Sequence, residues 1–265
     1  MLLRALCFSL WTAVSTATTY GTSIDWVDRG MVLPVSSGGQ VCLAHWAIAS
    51  ADALASLQAI RTSTTPQPLS VQQLLDCSMP PLYPGCGGGS MKFAFGYARK
   101  YPLFSADAYP YTASNRLCPF VGIIDNNPRG YTVVAPTTVA LMTAVWQQPV
   151  VAVLRVDQPE FQAYTHGVLT NIPGFNCVST LRNPGLYVVL VVGYGTEDFT
   201  DYWLIQTSYG TNWGAQGYIK LLRDSKLDKT GGMCGILQHA LYPVTSPTVP
   251  ASTNLSLTPQ SFDPR

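Results

Sequence analysis

A cysteine and a histidine, residue types that can supply a nucleophile and a general base, stand close together in residues 40–50 (QVCLAHWAIAS). Cys42 could supply a thiolate, and His45, directly before Trp46, could supply an imidazole. A thiolate paired with a histidine attacks acyl groups in nucleophilic catalysis. The chain has three histidines and seven cysteines, so its possible chemistry depends on where the others lie.

The sequence predicts the elements that must position these residues. Residues 46–60 contain no Gly or Pro and carry apolar residues on several faces, which predicts a buried helix beginning near His45. Ser70 has a side chain suited to capping the N-terminus of a helix that follows it. The apolar run 188–192 is bounded by glycine and predicts a buried strand.

Composition and the N-terminus limit the partners and the compartment. The net charge is +1 and only 11% of residues are charged, which gives no indication of a nucleic acid or an anionic membrane surface as partner. Residues 1–17 are predicted to be a secretory signal peptide, because Arg4 precedes an apolar run and small residues follow it. A membrane anchor is the alternative, but the run is too short to span a bilayer. We expect a mature protein without a membrane span, secreted or in the lysosomal or endosomal lumen.

The cysteine count predicts disulfides. Cys7 lies in the predicted signal peptide, and an even number remains, which in an oxidising compartment indicates three disulfides. Spacing alone permits fifteen pairings. The remaining cysteines are Cys42, Cys77, Cys86, Cys118, Cys177 and Cys234.

Several motifs, in the same order along the chain, resemble those of papain-like cysteine proteases (the peptidase C1 family, cathepsin L-like). They are the opening segment 23–35, the segment around His45 and Trp46, the helix 69–77 (LSVQQLLDC), the Gly-Gly motif 85–89 (GCGGG), the loop 106–111 (ADAYPY), and the segments 192–195 (VGYG), 202–214 (YWLIQTSYGTNWG) and 242–244 (YPV).

The resemblance implies an α+β fold of two parts within a domain at residues 18–244. A helical left part is expected at about 23–130 and an antiparallel, barrel-like right part at about 131–244. The cleft between them would bind extended peptide. Residues 245–265 are rich in Pro, Ser and Thr and are predicted to be a flexible tail, with a glycosylation sequon at Asn254.

The resemblance also selects one disulfide pairing and the residues that line the cleft. The implied pairs are Cys42–Cys86, Cys77–Cys118 and Cys177–Cys234. The implied cleft residues are Gly88, Gly89, Tyr209 and Trp213.

In the family, catalysis needs a Cys nucleophile, a His base and an orienting Asn. Aligning the motifs places His45, Tyr187 and Thr207 at these three positions. Tyr209 stands at the position of the Trp that shields the His–Asn pair. The Gln that stabilises the oxyanion corresponds to Gly39, or to Gln40 if the register shifts by one residue.

Other residues do not restore the site. His166 is expected to have a structural or solvent-facing role, and His239 is expected at the surface. Cys42 as the nucleophile would leave Cys86 without its disulfide partner. A metal site built from His45 and His166 would lack nearby carboxylates or thiolates, so we expect no metal and no other cofactor.

The sequence therefore predicts a non-catalytic homologue of these proteases, a monomer that binds a peptide or protein ligand in the cleft. Removing the nucleophile of such a catalytic unit costs about a millionfold in turnover. One alternative is a family member that keeps weak or unconventional hydrolase activity. Another is a purely structural secreted protein whose cleft is closed by side chains.

Overall fold

The computed structural model describes residues 20–39, 42–78, 85–119, 130–156, 161–170 and 185–244. The predicted signal peptide and the predicted C-terminal tail lie outside these residues. The helices are α1 (His45–Thr62), α2 (Val71–Cys77), α3 (Met91–Lys100) and α4 (Thr138–Gln147), with 3₁₀ turns at Gly85–Gly87, Ser225–Thr230 and Met233–Gly235. The strands are β1 (Ile24–Asp25), β2 (Tyr131–Val133), β3 (Val150–Val156), β4 (Val168–Leu169), β5 (Gly185–Glu197), β6 (Thr200–Gln206), β7 (Tyr218–Leu222) and β8 (Ala240–Pro243).

The two predicted helices and the predicted strand are confirmed. Helix α1 begins at His45, as predicted, and ends where Ser63 adopts a left-handed conformation, with φ of 54°. Helix α2 begins directly after Ser70, whose Oγ accepts a hydrogen bond from Gln73 N (3.0 Å). This bond satisfies one of the free N–H groups of the first turn, as the sequence predicts. The apolar run 188–192 lies inside β5.

The strands form one sheet in the order β2-β8-β3-β5-β6-β7-β4, with β1 paired to β5 outside this path. All pairs are antiparallel except β4 with β7. The predicted antiparallel right part is confirmed, and within the described residues its sheet is not closed, because β2 and β4 stand at its two ends. These two strands have three and two residues, and each pairs only with its inner neighbour.

Both faces of the central strands are covered, which explains their continuous apolar sequences. On one face, Val151 and Val188 pack in a core cluster with Trp46 of α1. On the other face, Leu154 and Val189 pack in a second cluster with residues of α4. One cluster therefore joins the helices to the sheet and the other lies behind the sheet, which confirms the α+β class.

None of the helices in the described ranges combines the length and the apolar character that crossing a membrane requires.

The tip of the β5–β6 hairpin carries backbone strain. Asp198 and Phe199 both have positive φ, 47° and 62°, and the Phe199 side chain is fully exposed. A left-handed conformation costs a residue other than glycine about 1–2 kcal/mol. We therefore expect Phe199→Gly to raise the free energy of unfolding by about 1 kcal/mol in urea denaturation.

Leu117→Gly is the matched control for this change, because Leu117 is also exposed and has no positive φ. It should give no gain in stability, since glycine only adds freedom to the unfolded chain there. Equal effects of the two substitutions would contradict the assignment of strain to the hairpin tip.

Candidate functional site

His45 is the first residue of α1 and joins the helix to the sheet. Its Nδ1 accepts a hydrogen bond from Val188 N of β5 (3.2 Å). Its ring centroid lies 5.0 Å from that of Tyr187, the preceding residue of β5. The start of α1 is thus held against β5 through the imidazole itself.

The imidazole is neutral and has no free lone pair. Burial lowers the pKa of His45 from 6.5 to about 4. Since Nδ1 accepts the Val188 N–H, the single proton of the neutral ring is assigned to Nε2. Neither nitrogen is then available to attack a carbonyl carbon or to take a proton from another nucleophile.

Acidification should therefore cost stability through His45. Its folded pKa lies below its unfolded value, so the unfolded chain binds the extra proton between pH 6.5 and about 4. Stability falls as pH drops through this window, by about 2 kcal/mol once partial exposure of the side chain is allowed for. His45→Gln keeps an acceptor for Val188 N and should lose this dependence in urea denaturation from pH 7 to pH 4.

The difference between the wild type and His45→Gln is the quantity to follow, because Asp52 shifts stability in the opposite direction. Burial raises the Asp52 pKa from 3.8 to about 7, so the folded protein keeps a proton that the unfolded chain releases. The free energy of unfolding therefore falls as pH rises through this range. A difference between the two proteins that does not change with pH would show that His45 does not titrate as described.

Tyr187 lies behind His45 in a set of stacked aromatic rings. Its ring is parallel to that of Tyr209, with centroids 4.7 Å apart. Its hydroxyl oxygen accepts a hydrogen bond from Ser208 N (3.0 Å) and lies 2.9 Å from Ser208 Oγ. Burial raises the pKa of Tyr187, so the phenol stays protonated and does not serve as a base.

Thr207 is buried next to the Tyr187 hydroxyl, with which its side chain interacts. Its Oγ1 donates a hydrogen bond to the Gly217 carbonyl oxygen (2.9 Å), so the hydroxyl also holds the turn that leads into β7. The structure therefore places His45, Tyr187 and Thr207 close together. The His45 ring contacts the Tyr187 ring, and the Tyr187 hydroxyl contacts the Thr207 side chain.

The backbone at Gly39 is packed against Ser208. Gly39 is buried, and its N–H donates to the Ser208 carbonyl oxygen (3.3 Å). A Cβ atom at position 39 would overlap Ser208 Oγ, so this position does not accept a longer side chain without a shift of Ser208. Gln40, the alternative oxyanion residue, lies outside the described residues.

The Gly-Gly segment is fixed to the start of α1. Gly89 lies against the Trp46 ring, which a Cβ at position 89 would overlap, and Trp46 Nε1 donates to the Gly85 carbonyl oxygen (3.1 Å). Gly88 has φ of 107° and open space where a side chain would be. Cys86 is joined to Cys42 by a disulfide. A bare stretch of backbone is therefore held next to the site.

The aromatic set extends to residues from three segments of the chain. Phe161, 1% exposed, stacks on Trp213 with centroids 4.9 Å apart. It also contacts the rings of Tyr187 and Tyr209, at 5.9 and 6.0 Å. Sequence reasoning singled out neither Phe161 nor Ser208. Ser208 directly follows Thr207, so its position in the sequence could have indicated that it belongs to the site. No sequence pattern indicates this for Phe161.

The remaining candidates are exposed or already bonded. His166 is exposed, with Nδ1 2.9 Å from Thr165 Oγ1, and His239 is exposed. The second described disulfide joins Cys77 to Cys118. Cys234 is also disulfide-bonded, and Cys177, its implied partner, lies outside the described residues.

The described part of the chain thus holds no cysteine with a free thiol. It also contains no group of three or more His, Cys, Asp or Glu side chains placed to hold a metal ion.

Comparison with known proteins identifies similar chains. The model of the family described as "Papain family cysteine protease" matches residues 20–244. Cysteine endopeptidase Rep1 of Oryza sativa subsp. japonica is 37% identical over 231 residues, which cover 84% of this chain and 58% of that protein. Procathepsin L of Mus musculus is 34% identical over 232 residues, which cover 84% of this chain and 65% of that protein. The chain thus spans about three-fifths of the length of the curated relatives it matches.

Solved structures show the same fold. The bromelain protease from Ananas comosus, in complex with the E64 inhibitor, has a TM-score of 0.72 and 32% identity, over 85% of this chain and 100% of that one. The cysteine protease Amb a 11, a ragweed pollen allergen in its proform, has a TM-score of 0.73 and 31% identity, over 88% of this chain and 69% of that one. The papain-like fold implied by the sequence motifs is confirmed.

Proposed function

This chain belongs to the papain family of cysteine proteases, and we propose that it is a member without the catalytic triad, which binds peptide or protein ligands instead of cleaving them. Hydrolysis by the family's mechanism needs a thiolate, a histidine base and an asparagine that orients the base. In this proposal His45, Tyr187 and Thr207 occupy these three positions.

The observation that carries the proposal is the state of His45 at the start of α1. A helix N-terminus stabilises a thiolate placed there. This chain has a neutral imidazole at that point, held by Val188 N and the Tyr187 ring. The Tyr187 hydroxyl is hydrogen-bonded to Ser208, and the Thr207 hydroxyl is hydrogen-bonded to Gly217. Both hydroxyls therefore take part in contacts that stabilise the fold.

Ligand binding is supported by the Gly-Gly segment next to this site. No side chain covers the backbone at Gly88. This backbone is held in place by the Cys42–Cys86 disulfide and by the packing of Gly89 on Trp46. An extended peptide binds such a backbone through main-chain hydrogen bonds. The related bromelain structure holds the inhibitor E64.

The same disulfides support a proposal for the compartment. We place the protein outside the cell or in the lysosomal or endosomal lumen, because disulfides persist in oxidising compartments. The low pKa of His45 keeps the imidazole neutral there even at mildly acidic pH.

The experiment that tests this proposal measures binding and cleavage on the same sample. Fluorescein-labelled peptides from a random hexamer library are titrated with the full chain by fluorescence anisotropy, and their masses are then read after overnight incubation. We expect saturable binding with every peptide intact. Cleavage that disappears in His45→Ala would contradict the proposal, and so would the absence of binding by any peptide.

A matched pair of glycine variants locates the binding. Gly88→Asn places a side chain over the bare backbone and should weaken binding. Gly30 also has a positive φ, 68° against 107° at Gly88, and open space at the position of a Cβ, so Gly30→Asn should leave binding unchanged. Equal effects of the two variants would place the ligand elsewhere on the protein.

A further inference from the structure

The sheet face that packs against α1 is uncovered at one end. Side chains alternate along β5, so Leu186 is on the same face as Val188 and Leu190, which both pack in the core cluster of α1. Helix α1 begins at His45, opposite Val188, and Leu186 lies two residues further toward the start of β5. Leu186 is therefore 56% exposed, although it lies on the helix-facing side of a central strand.

A cation lies beside this leucine. Arg155 of β3 is the ladder partner of Leu186, so both side chains are on the same face of the sheet. Arg155 is exposed, and its Cγ and Cδ lie 3.7 Å from the position of a Cβ on Gly235. Among the described residues, the two ion pairs involve Lys220 and Arg223, and no carboxylate lies within 4.0 Å of the Arg155 guanidinium.

A second exposed leucine lies on the helical side of the His45–Tyr187 contact. Leu43 is 51% exposed and precedes His45 by two residues. Its N–H donates to the Cys86 carbonyl oxygen (3.1 Å), and the neighbouring Cys42 is bonded to Cys86. Leu43 is thus fixed beside the Gly-Gly segment, while Leu186 directly precedes Tyr187 on the other side.

We propose that Leu43, Leu186 and Arg155 make the cleft selective for extended peptides that carry an apolar side chain next to an acidic one. This inference rests on the proposed function, since it names the ligand class of the same cleft. The apolar side chain lies between the two leucines and covers surface that is otherwise exposed to water. The neighbouring carboxylate accepts two parallel hydrogen bonds from the planar guanidinium of Arg155. Lysine and neutral side chains do not form this bidentate pair.

The test uses a set of fluorescein-labelled hexapeptides with one central Leu in an alanine background. Glu is moved through the positions around this Leu, and each peptide is paired with the Gln peptide of the same length and shape. With the wild-type chain at low salt, Glu at one position should bind about tenfold more tightly than Gln there. The preference should shrink as salt is added, because partly exposed charges are screened.

Variants assign the preference to Arg155. Arg155→Gln should abolish the difference between Glu and Gln peptides, and Arg155→Glu should favour the Lys peptide at the same position. Arg61→Gln is the matched control, because Arg61 is exposed in the last turn of α1, at the end of the helix away from His45. It should keep the preference of the wild type.

The outcomes separate this inference from the proposed function. Binding of Glu and Gln peptides with equal affinity would overturn the selectivity and leave peptide binding intact. A Glu preference that survives Arg155→Gln would also overturn it. If no peptide of the set or of the random library binds, the proposed function fails, and the inference fails with it.

Discussion

The purified protein is expected to hydrolyse peptide substrates at least about a millionfold more slowly than an active papain-family protease, because loss of the nucleophile alone costs that much in a catalytic unit. In the proposed function the imidazole of His45 does not replace a thiolate, since its Nδ1 accepts the Val188 N–H and its Nε2 carries the proton. The measurement is release of a fluorescent group from a peptide substrate, with bromelain as the active standard. A rate within a thousandfold of that standard, abolished by His45→Ala, would contradict this expectation.

The triple variant His45→Cys/Tyr187→His/Thr207→Asn places the family's three catalytic residue types at the aligned positions, and its hydrolysis is measured in the same way. It should hydrolyse the substrate measurably faster than the native chain. It should stay about 10²–10³-fold below the active standard, because Gly39 supplies no side chain to the oxyanion. If Gln40 takes the oxyanion role instead, the triple variant should approach the standard. The size of the remaining gap therefore decides between the two residues.

Gly89→Ala is expected to lower the free energy of unfolding by about 3 kcal/mol, the upper range for adding a methyl group to a filled core. The new Cβ would overlap the ring of Trp46, which is fully buried and held by its hydrogen bond to Gly85. The ring has no open side to move toward, so the Gly-Gly segment must shift away from α1. Urea denaturation of the variant and the wild type measures the difference.

Gly30→Ala is the matched control for this second prediction. Gly30 has a positive φ of 68°, and a Cβ placed on it would meet no atom within 4 Å, so alanine there costs only about 1 kcal/mol of backbone strain. A loss at Gly89 no greater than the loss at Gly30 would show that the contact with Trp46 does not fix the segment. Peptide binding should fall with Gly89→Ala and remain with Gly30→Ala.

The elements of the fold that depend on local signals could be predicted from the sequence. Helix α1 follows from a run without Gly or Pro, and the start of α2 follows from the side chain of Ser70. The apolar run in β5 indicates a strand whatever its neighbours are. The disulfide pairing is different, because spacing alone permits fifteen arrangements and only the resemblance selects among them.

The details of the site depend on contacts between distant segments, which local patterns do not contain. Phe161 reaches Tyr187, Tyr209 and Trp213 only because the fold brings separate segments together. The exposure of Leu186 depends on where α1 begins relative to β5. The open sheet likewise depends on how far β2 and β4 extend, a property of two very short strands.

The most direct test of the proposed loss of catalysis is whether any cysteine of the folded domain reacts as a thiolate. The native full chain is treated with iodoacetamide near neutral pH, digested and mapped by mass spectrometry, and its peptide hydrolysis is measured on the same sample. We predict no alkylation of Cys42, Cys77, Cys86, Cys118, Cys177 or Cys234 and no hydrolysis to inhibit. Alkylation of one of these residues, with a parallel loss of peptide hydrolysis, would contradict the proposed loss of the catalytic thiolate.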